Sequence, residues 1–194
     1  PADALFLMAA SVSRSDIMQH WIDPSVTDEL DPDSVDPELD LYAEGRTPPY
    51  DRDWLARYRQ AQLDRMARID DWVMAELQRL RARGINDRAF LVHRTVADPR
   101  LVDLTIDPSD RAFGSIYGDP RVANHATGPM GRYTSLCAWL STWSPRHSHA
   151  DARDNLPKVS VPVGIMCLTA DQGALKIDSE TLRDAVPEGL ATYM

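Results

Sequence analysis

The chain is short of cysteine, of positive charge and of long apolar runs. Its 194 residues include two cysteines, Cys137 and Cys167. Two thiols cannot build a disulfide framework, so a cross-linked secreted scaffold is excluded and a reducing, cytoplasmic setting is the expectation. Lys+Arg number 21 against 30 Asp+Glu, a formal charge of −9. Nucleic-acid binding rests on cations that displace counterions from phosphates, and an anionic membrane surface selects the same sign. Neither nucleic acid nor membrane is therefore an expected partner. The first apolar run, residues 4–10 (ALFLMAA), is far shorter than the roughly 20 residues that span a bilayer. No basic stretch precedes it of the kind a signal peptide carries. A chain that opens this directly on a core-like strand reads as cut from something longer.

What is present suits a folded domain. The chain is 43% hydrophobic and 26% charged, enough to bury a core in one good-sized domain. Arg outnumbers Lys 19 to 2, and Asp outnumbers Glu 24 to 6. This reads as a proteome-wide bias of a GC-rich genome, not as a local signal.

Residues 4–10 lack alternation, as a strand buried on both faces does. Residues 22–53 are rich in Asp and Pro and read as an extended, turn-rich loop. A long helix is expected over 53–83, where Leu55, Tyr58, Met66, Ile69, Val73, Leu77 and Leu80 keep helical spacing and Gln62 fills the one gap. Asp51 or Asp53 is placed to cap it, and Gly84 stands where a terminating glycine belongs. A strand is expected over 89–96 and a loop-rich stretch over 98–132. A second helix is expected over 132–144, with Leu136, Trp139, Leu140 and Trp143 on one face and Pro145 ending it. Residues 161–168 (VPVGIMCL) are the second buried-strand candidate, and 178–186 a short capped helix stopped by Pro187. The fold class expected is α/β. Residues 1–13 and 158–194 belong to a parallel sheet, and 14–157 form a large, mainly helical insertion over it.

Asp171 is the sharpest candidate site residue. An acid just past the carboxyl end of a buried parallel strand stands where open α/β sheets place ligands and catalytic groups. An Asp after a strand is also a common turn former, and the residues alone leave both readings open.

A strand ending in Ala-Ala, a long insertion, the run from Asn155 to Val163 with its Val-Pro-Val, and then Thr169-Ala170-Asp171-Gln172 together resemble the α/β-hydrolase superfamily. The likeness is to esterase-like members with a large cap. Ile22-Asp23-Pro24-Ser25-Val26 and the segment with Ser135-Leu136, Trp139-Leu140 and Trp143-Ser144 extend it over most of the chain. The resemblance implies a Ser-His-Asp acyl-transfer enzyme with an ester-like small-molecule substrate, no cofactor and no metal, and makes Asp171 the triad acid. The family's nucleophile sits in G-x-S-x-G. Here Gly114-Ser115-Ile116-Tyr117-Gly118 has its serine one place early, and no histidine follows Asp171. The resemblance thus places the nucleophile upstream of Pro1 and leaves the chain inactive alone, since a triad acid acts only by orienting a base.

Trp139, Trp143 and Trp21 are candidates for an apolar acyl pocket, although helical spacing favours a core role for the first two. His147-Ser148-His149-Ala150-Asp151 has the form of a metal-binding H-x-H-x-D string, yet it follows a helix end and lacks a further ligand, which favours a solvated loop. The alternative to an ester hydrolase segment is a non-catalytic binding module derived from the same fold. In either case the sheet edge left open invites self-association.

Overall fold

The computed structural model describes residues 2–194 and shows a mixed α/β architecture around a three-stranded parallel sheet. Strand β1 (Leu5–Met8) pairs in parallel with β6 (Val163–Met166), Leu5 opposite Val163 and Met8 opposite Met166. On its other side β6 pairs in parallel with β7 (Ala191–Tyr193), giving the order β1-β6-β7. Val163 and Ile165 point to one face and are buried against Leu182 and Val186. Leu182 lies on α6 (Lys176–Ala185), the helix that covers this face. The helix starts two residues before the expected Asp178, whose carboxylate reaches back to the Leu175 N–H at 2.8 Å.

The apolar runs at 4–10 and 161–168 predict substantial burial of both β1 and the central β6, and β1 does not have it. Phe6 is 54% and Met8 59% exposed. The reason is position: among the described residues β1 pairs with β6 alone, and of its residues only Leu7 joins the cluster under α6. Phe6 instead lies across Gly164, where an added Cβ would stand 2.6 Å from the ring. The strand therefore has an unpaired edge and an apolar, solvent-facing side.

The segment between β1 and β6 is built on α2 (Arg52–Arg81), with α1 (Arg14–Trp21) packed against it. At about 1.5 Å per residue, α2 is a rod of roughly 45 Å. Its N-cap is Asp51, which accepts from the Asp53 and Trp54 N–H groups. Beyond its C-terminus Gly84 takes φ +75°, and the Ile85 N–H returns to the Leu80 carbonyl at 3.0 Å. The apolar stripe is buried from Tyr58 to Leu80. Two polar residues interrupt it, each donating to loop or helix-end carbonyls. Gln62 donates to the carbonyls of His20 and Ile22, both at the end of α1. Arg65, fully buried, donates to the carbonyls of Asp23 and His93 and forks onto Glu29. These bonds satisfy backbone groups that the loops would otherwise leave orphaned.

The Asp- and Pro-rich stretch holds a hairpin not foreseen from its composition, β2 (Val26–Asp28) with β3 (Asp31–Val35). The strand expected over 89–96 contracts to β4 (Ala89–Leu91), because Arg94 takes φ +54° and the chain then follows α1 by loop hydrogen bonds. A short helix, α3 (Pro120–Ala123), is capped by Asp119.

The helix expected over 132–144 opens as a strand, β5 (Tyr133–Ser135), antiparallel to β4. Ser135 then caps α4 (Leu136–Ala138), which widens into a π turn over Trp139–Trp143. That wider turn brings Ser144 to Asp70 of α2, Oγ to Oδ2 2.8 Å, while the Trp139 indole N–H donates to Asp70 Oδ1 at 2.7 Å. A short α5 (Ala152–Asn155) leads back to the sheet.

Candidate functional site

A cavity of about 420 Å³ opens at the carboxyl ends of β1 and β6, between the sheet and the inserted segment. Ala9, Ala10 and Ser11 line it from the turn after β1, Arg14 and Ile17 from α1, and Asp171, Gly173 and Ala174 from the loop after β6. Ile116 and Met130 of the insertion close the remaining side. Open parallel sheets place their ligands at this edge because each strand there releases a loop toward the same point. Ala9 takes φ 48°, a left-handed conformation that a β-carbon disfavours, so the turn into α1 is held under strain where it faces the cavity.

Asp171 is set by its own loop. Its Oδ1 accepts from the N–H groups of Gly173 at 2.7 Å and Ala174 at 3.1 Å. The carboxylate is thus anchored by backbone amides and does not serve as the cap of α6. The loop is in turn clipped to the insertion. Thr169 Oγ1 donates to Asp110 Oδ2 at 2.6 Å, and the Asp110 N–H donates to the Thr169 carbonyl at 3.0 Å. Gln172 donates to the carbonyls of Ala112 and Phe113. These bonds fix the insertion over the acid's loop.

Arg14 supplies the positive charge in the lining and, among the described residues, has no carboxylate within ion-pair distance. Ser11 supplies a hydroxyl. No lining residue is a histidine. The lining joins the Asp171 carboxylate, the Arg14 guanidinium and the Ser11 hydroxyl to the apolar Ile17, Ile116 and Met130, a chemistry suited to a small ligand with polar and apolar parts. Among the described lining residues no imidazole stands by to take a proton from a serine.

Asp98, Arg100, His20 and Asp178 form a set of mutually interacting charges at buried to half-buried positions. Asp98 and Arg100 pair at 2.7 Å. Burial drives the Asp98 carboxyl upward, but the Arg100 guanidinium outweighs this and holds it below the usual carboxylate range. His20 is pushed down by burial and by Arg100. Asp178 is raised to about 6 by burial, against the N–H groups of Leu175 and Val12 and the charge of Arg100, with Asp16 adding to the rise.

Of the residues singled out from sequence, Asp171 alone lines the cavity. Trp139 is fully buried against α2 in the core that contains Met66, Ile69 and Val73. Trp143 packs at the edge of that same core. Trp21 is buried one layer behind Ile17 and Met130, edge-on to Tyr117. The three tryptophans are therefore not gathered at one pocket. Ser115 is buried in a tight turn, donating to the Gly118 carbonyl and accepting from the Tyr117 N–H, so its hydroxyl is already committed. Asp151 of the H-x-H-x-D string forks onto Arg153 and caps α5. No group of three or more metal-ligating side chains converges among the described residues.

Arg14, Ile17, Ile116 and Met130 went unrecognised in the sequence. For Arg14 and Ile17 a signal existed, since they follow a β-strand's carboxyl end by a few residues. For Ile116 and Met130 there was none, because the fold brings them in from distant loops. No family model, curated protein or solved structure matches the chain.

Proposed function

We propose that the chain is the late-sheet and cap portion of an α/β-hydrolase-like ester hydrolase, with Asp171 as the acid of a Ser-His-Asp triad. The observation that carries this reading is the cavity at the carboxyl ends of two parallel strands, entered by an anchored carboxylate and roofed by the insertion. The unpaired edge of β1 fits a further parallel strand beside it, as the nucleophile-bearing strand of such a sheet would be. The serine and the histidine are then supplied by chain outside residues 1–194.

In this reading the acid orients the imidazole and stabilises it once protonated. The imidazole takes the serine's proton as the serine attacks the ester carbonyl, then returns it to the leaving alcohol. Backbone amides stabilise the oxyanion formed between these steps. Arg14 and the apolar Ile17, Ile116 and Met130 hold the substrate under the cap. No metal or organic cofactor takes part in this scheme.

A fluorophosphonate probe tests the proposal. The chain by itself is expected to remain unlabelled and to show no esterase turnover. The same chain with its flanking segments is expected to label stoichiometrically at one serine outside residues 1–194. Labelling of a serine within 1–194 contradicts the assignment, and absence of labelling in the longer protein favours a non-catalytic binding module.

A further inference from the structure

A second, larger cavity of about 670 Å³ lies on the other side of the insertion, between the β2–β3 hairpin, α2 and β4. It shares no lining residue with the Asp171 cavity. Its volume is within the range of pockets that enclose small molecules. Ile69 forms buried floor, while Trp72, Phe90 and Leu91 form an aromatic and aliphatic wall. The Trp72 and Phe90 rings are 5.2 Å apart, and the Arg88 guanidinium stands 5.8 Å from the Trp72 ring centre. Leu30, 92% exposed at the hairpin tip, overhangs the mouth. Apolar surface of this extent around a concave site marks a place where a ligand body is buried.

The charged groups at this cavity are not equivalent. Glu29 is held by Arg65 through two hydrogen bonds, and Arg88 is paired with Glu76 at 2.9 Å. Asp28 has one oxygen committed to the Leu30 N–H. Arg68 has no carboxylate within ion-pair distance among the described residues; its guanidinium makes one long bond, 3.3 Å, to the Val26 carbonyl. The His93 ring is held below its usual pKa, by burial first and by Arg132 and Arg65 next, so at neutral pH it offers the cavity an uncharged donor and acceptor.

We infer that this cavity is a binding site for an amphiphilic carboxylate, a linear or aromatic acid whose apolar body lies on Trp72 and Leu91 and whose carboxylate meets Arg68. A guanidinium without a carboxylate partner recognises a carboxylate with two parallel N–H bonds, which a neutral head group cannot accept in the same way. The site is independent of the proposed triad and does not need it.

Decanoate and 1-decanol, used below their aggregation limits, test this on the chain as it stands. Trp21, Trp54 and Trp139 are buried, Trp143 is half-buried and lines no part of this cavity, and Trp72 is 43% exposed, so a ligand here should blue-shift and intensify the Trp72 emission. Saturable decanoate binding is expected, at least tenfold tighter than that of decanol. Arg68→Gln should weaken decanoate at least tenfold and leave decanol unchanged, with an unaltered unfolding midpoint showing that the fold is intact. Trp72→Phe should remove the emission shift while calorimetry still detects the ligand. Decanoate binding that survives Arg68→Gln, equal affinity for the alcohol, or no saturable binding each overturns the inference. Should Arg68→Gln lower the midpoint, Arg68→Lys keeps the test open: it keeps the charge but not the two parallel N–H bonds, so decanoate is expected to weaken, and decanoate affinity equal to wild type counts against the site.

Discussion

Thr169 and Asp110 hold each other twice, hydroxyl to carboxylate at 2.6 Å and N–H to carbonyl at 3.0 Å, across 59 positions of sequence. This reciprocal clip joins the loop that carries Asp171 to the insertion that roofs the cavity. The pair is partly solvent-exposed, so its worth is that of ordinary hydrogen bonds, about 1 kcal/mol. Asp110→Ala should therefore cost about 1 kcal/mol in global stability. It should also raise amide hydrogen exchange in residues 168–174 well above the change in the core. Uniform exchange throughout the chain would show that the clip does not set the loop.

Trp139 is expected to act on stability and not on the site. Trp139→Phe keeps most of the apolar volume but removes the N–H that meets Asp70 Oδ1 in a fully buried position. An orphaned carboxylate oxygen there costs about 1–3 kcal/mol. Chemical denaturation should show that loss, with ligand binding in the Asp171 cavity unchanged. A change in binding with unaltered stability would return Trp139 to the pocket.

Asp178 gives a pH dependence of definite sign. Its folded pKa of about 6 stands above the ordinary aspartate value of 3.8, through burial. The folded state therefore favours the protonated form. The stability this adds is complete below about pH 4 and is lost as pH rises through 6. A shift of that size corresponds to about 3 kcal/mol between those limits. Asp98, held low by Arg100, has the opposite slope, so the comparison must be with Asp178→Asn at each pH. Relative to wild type, the asparagine variant should gain stability from pH 4 to pH 7. A constant difference across that range would contradict the burial of the charge.

The open edge of β1 should make the isolated chain associate. Phe6 and Met8 present apolar surface beside an unpaired strand edge. Sedimentation should show concentration-dependent self-association, and Phe6→Lys should reduce it. Strict monomer behaviour of wild type at high concentration would show that the edge is protected.

Much of this fold was legible from spacing. The 3.6-residue stripe from Tyr58 to Leu80 marked α2 nearly to its ends, and the apolar runs at 4–10 and 161–168 marked the paired parallel strands. Elements set by long-range partners were not legible. Nothing local shows that 133–135 will pair with 89–91, so β5 was lost inside an expected helix. Nor does composition show that Asp- and Pro-rich chain will close the β2–β3 hairpin. The run at 4–10 overstates the burial of β1 for a related reason: apolar content signals two covered faces, whereas cover depends on neighbours that the run does not encode. In the site, Asp171 was visible because strand ends are. The cavity's other walls are assembled by tertiary structure.

On the proposed function, Asp171 does more than accept from its own loop: its carboxylate at the sheet edge orients an imidazole. Asp171→Asn in the protein with its flanking segments tests this most directly, with ester turnover and unfolding midpoint measured side by side. The amide oxygen can still accept from Gly173 and Ala174, but a triad histidine would be held in the wrong tautomer. Turnover should fall by about 10³–10⁴-fold while the midpoint stays near wild type. Near-normal turnover together with a large drop in the midpoint would contradict the claim and make Asp171 a structural turn residue.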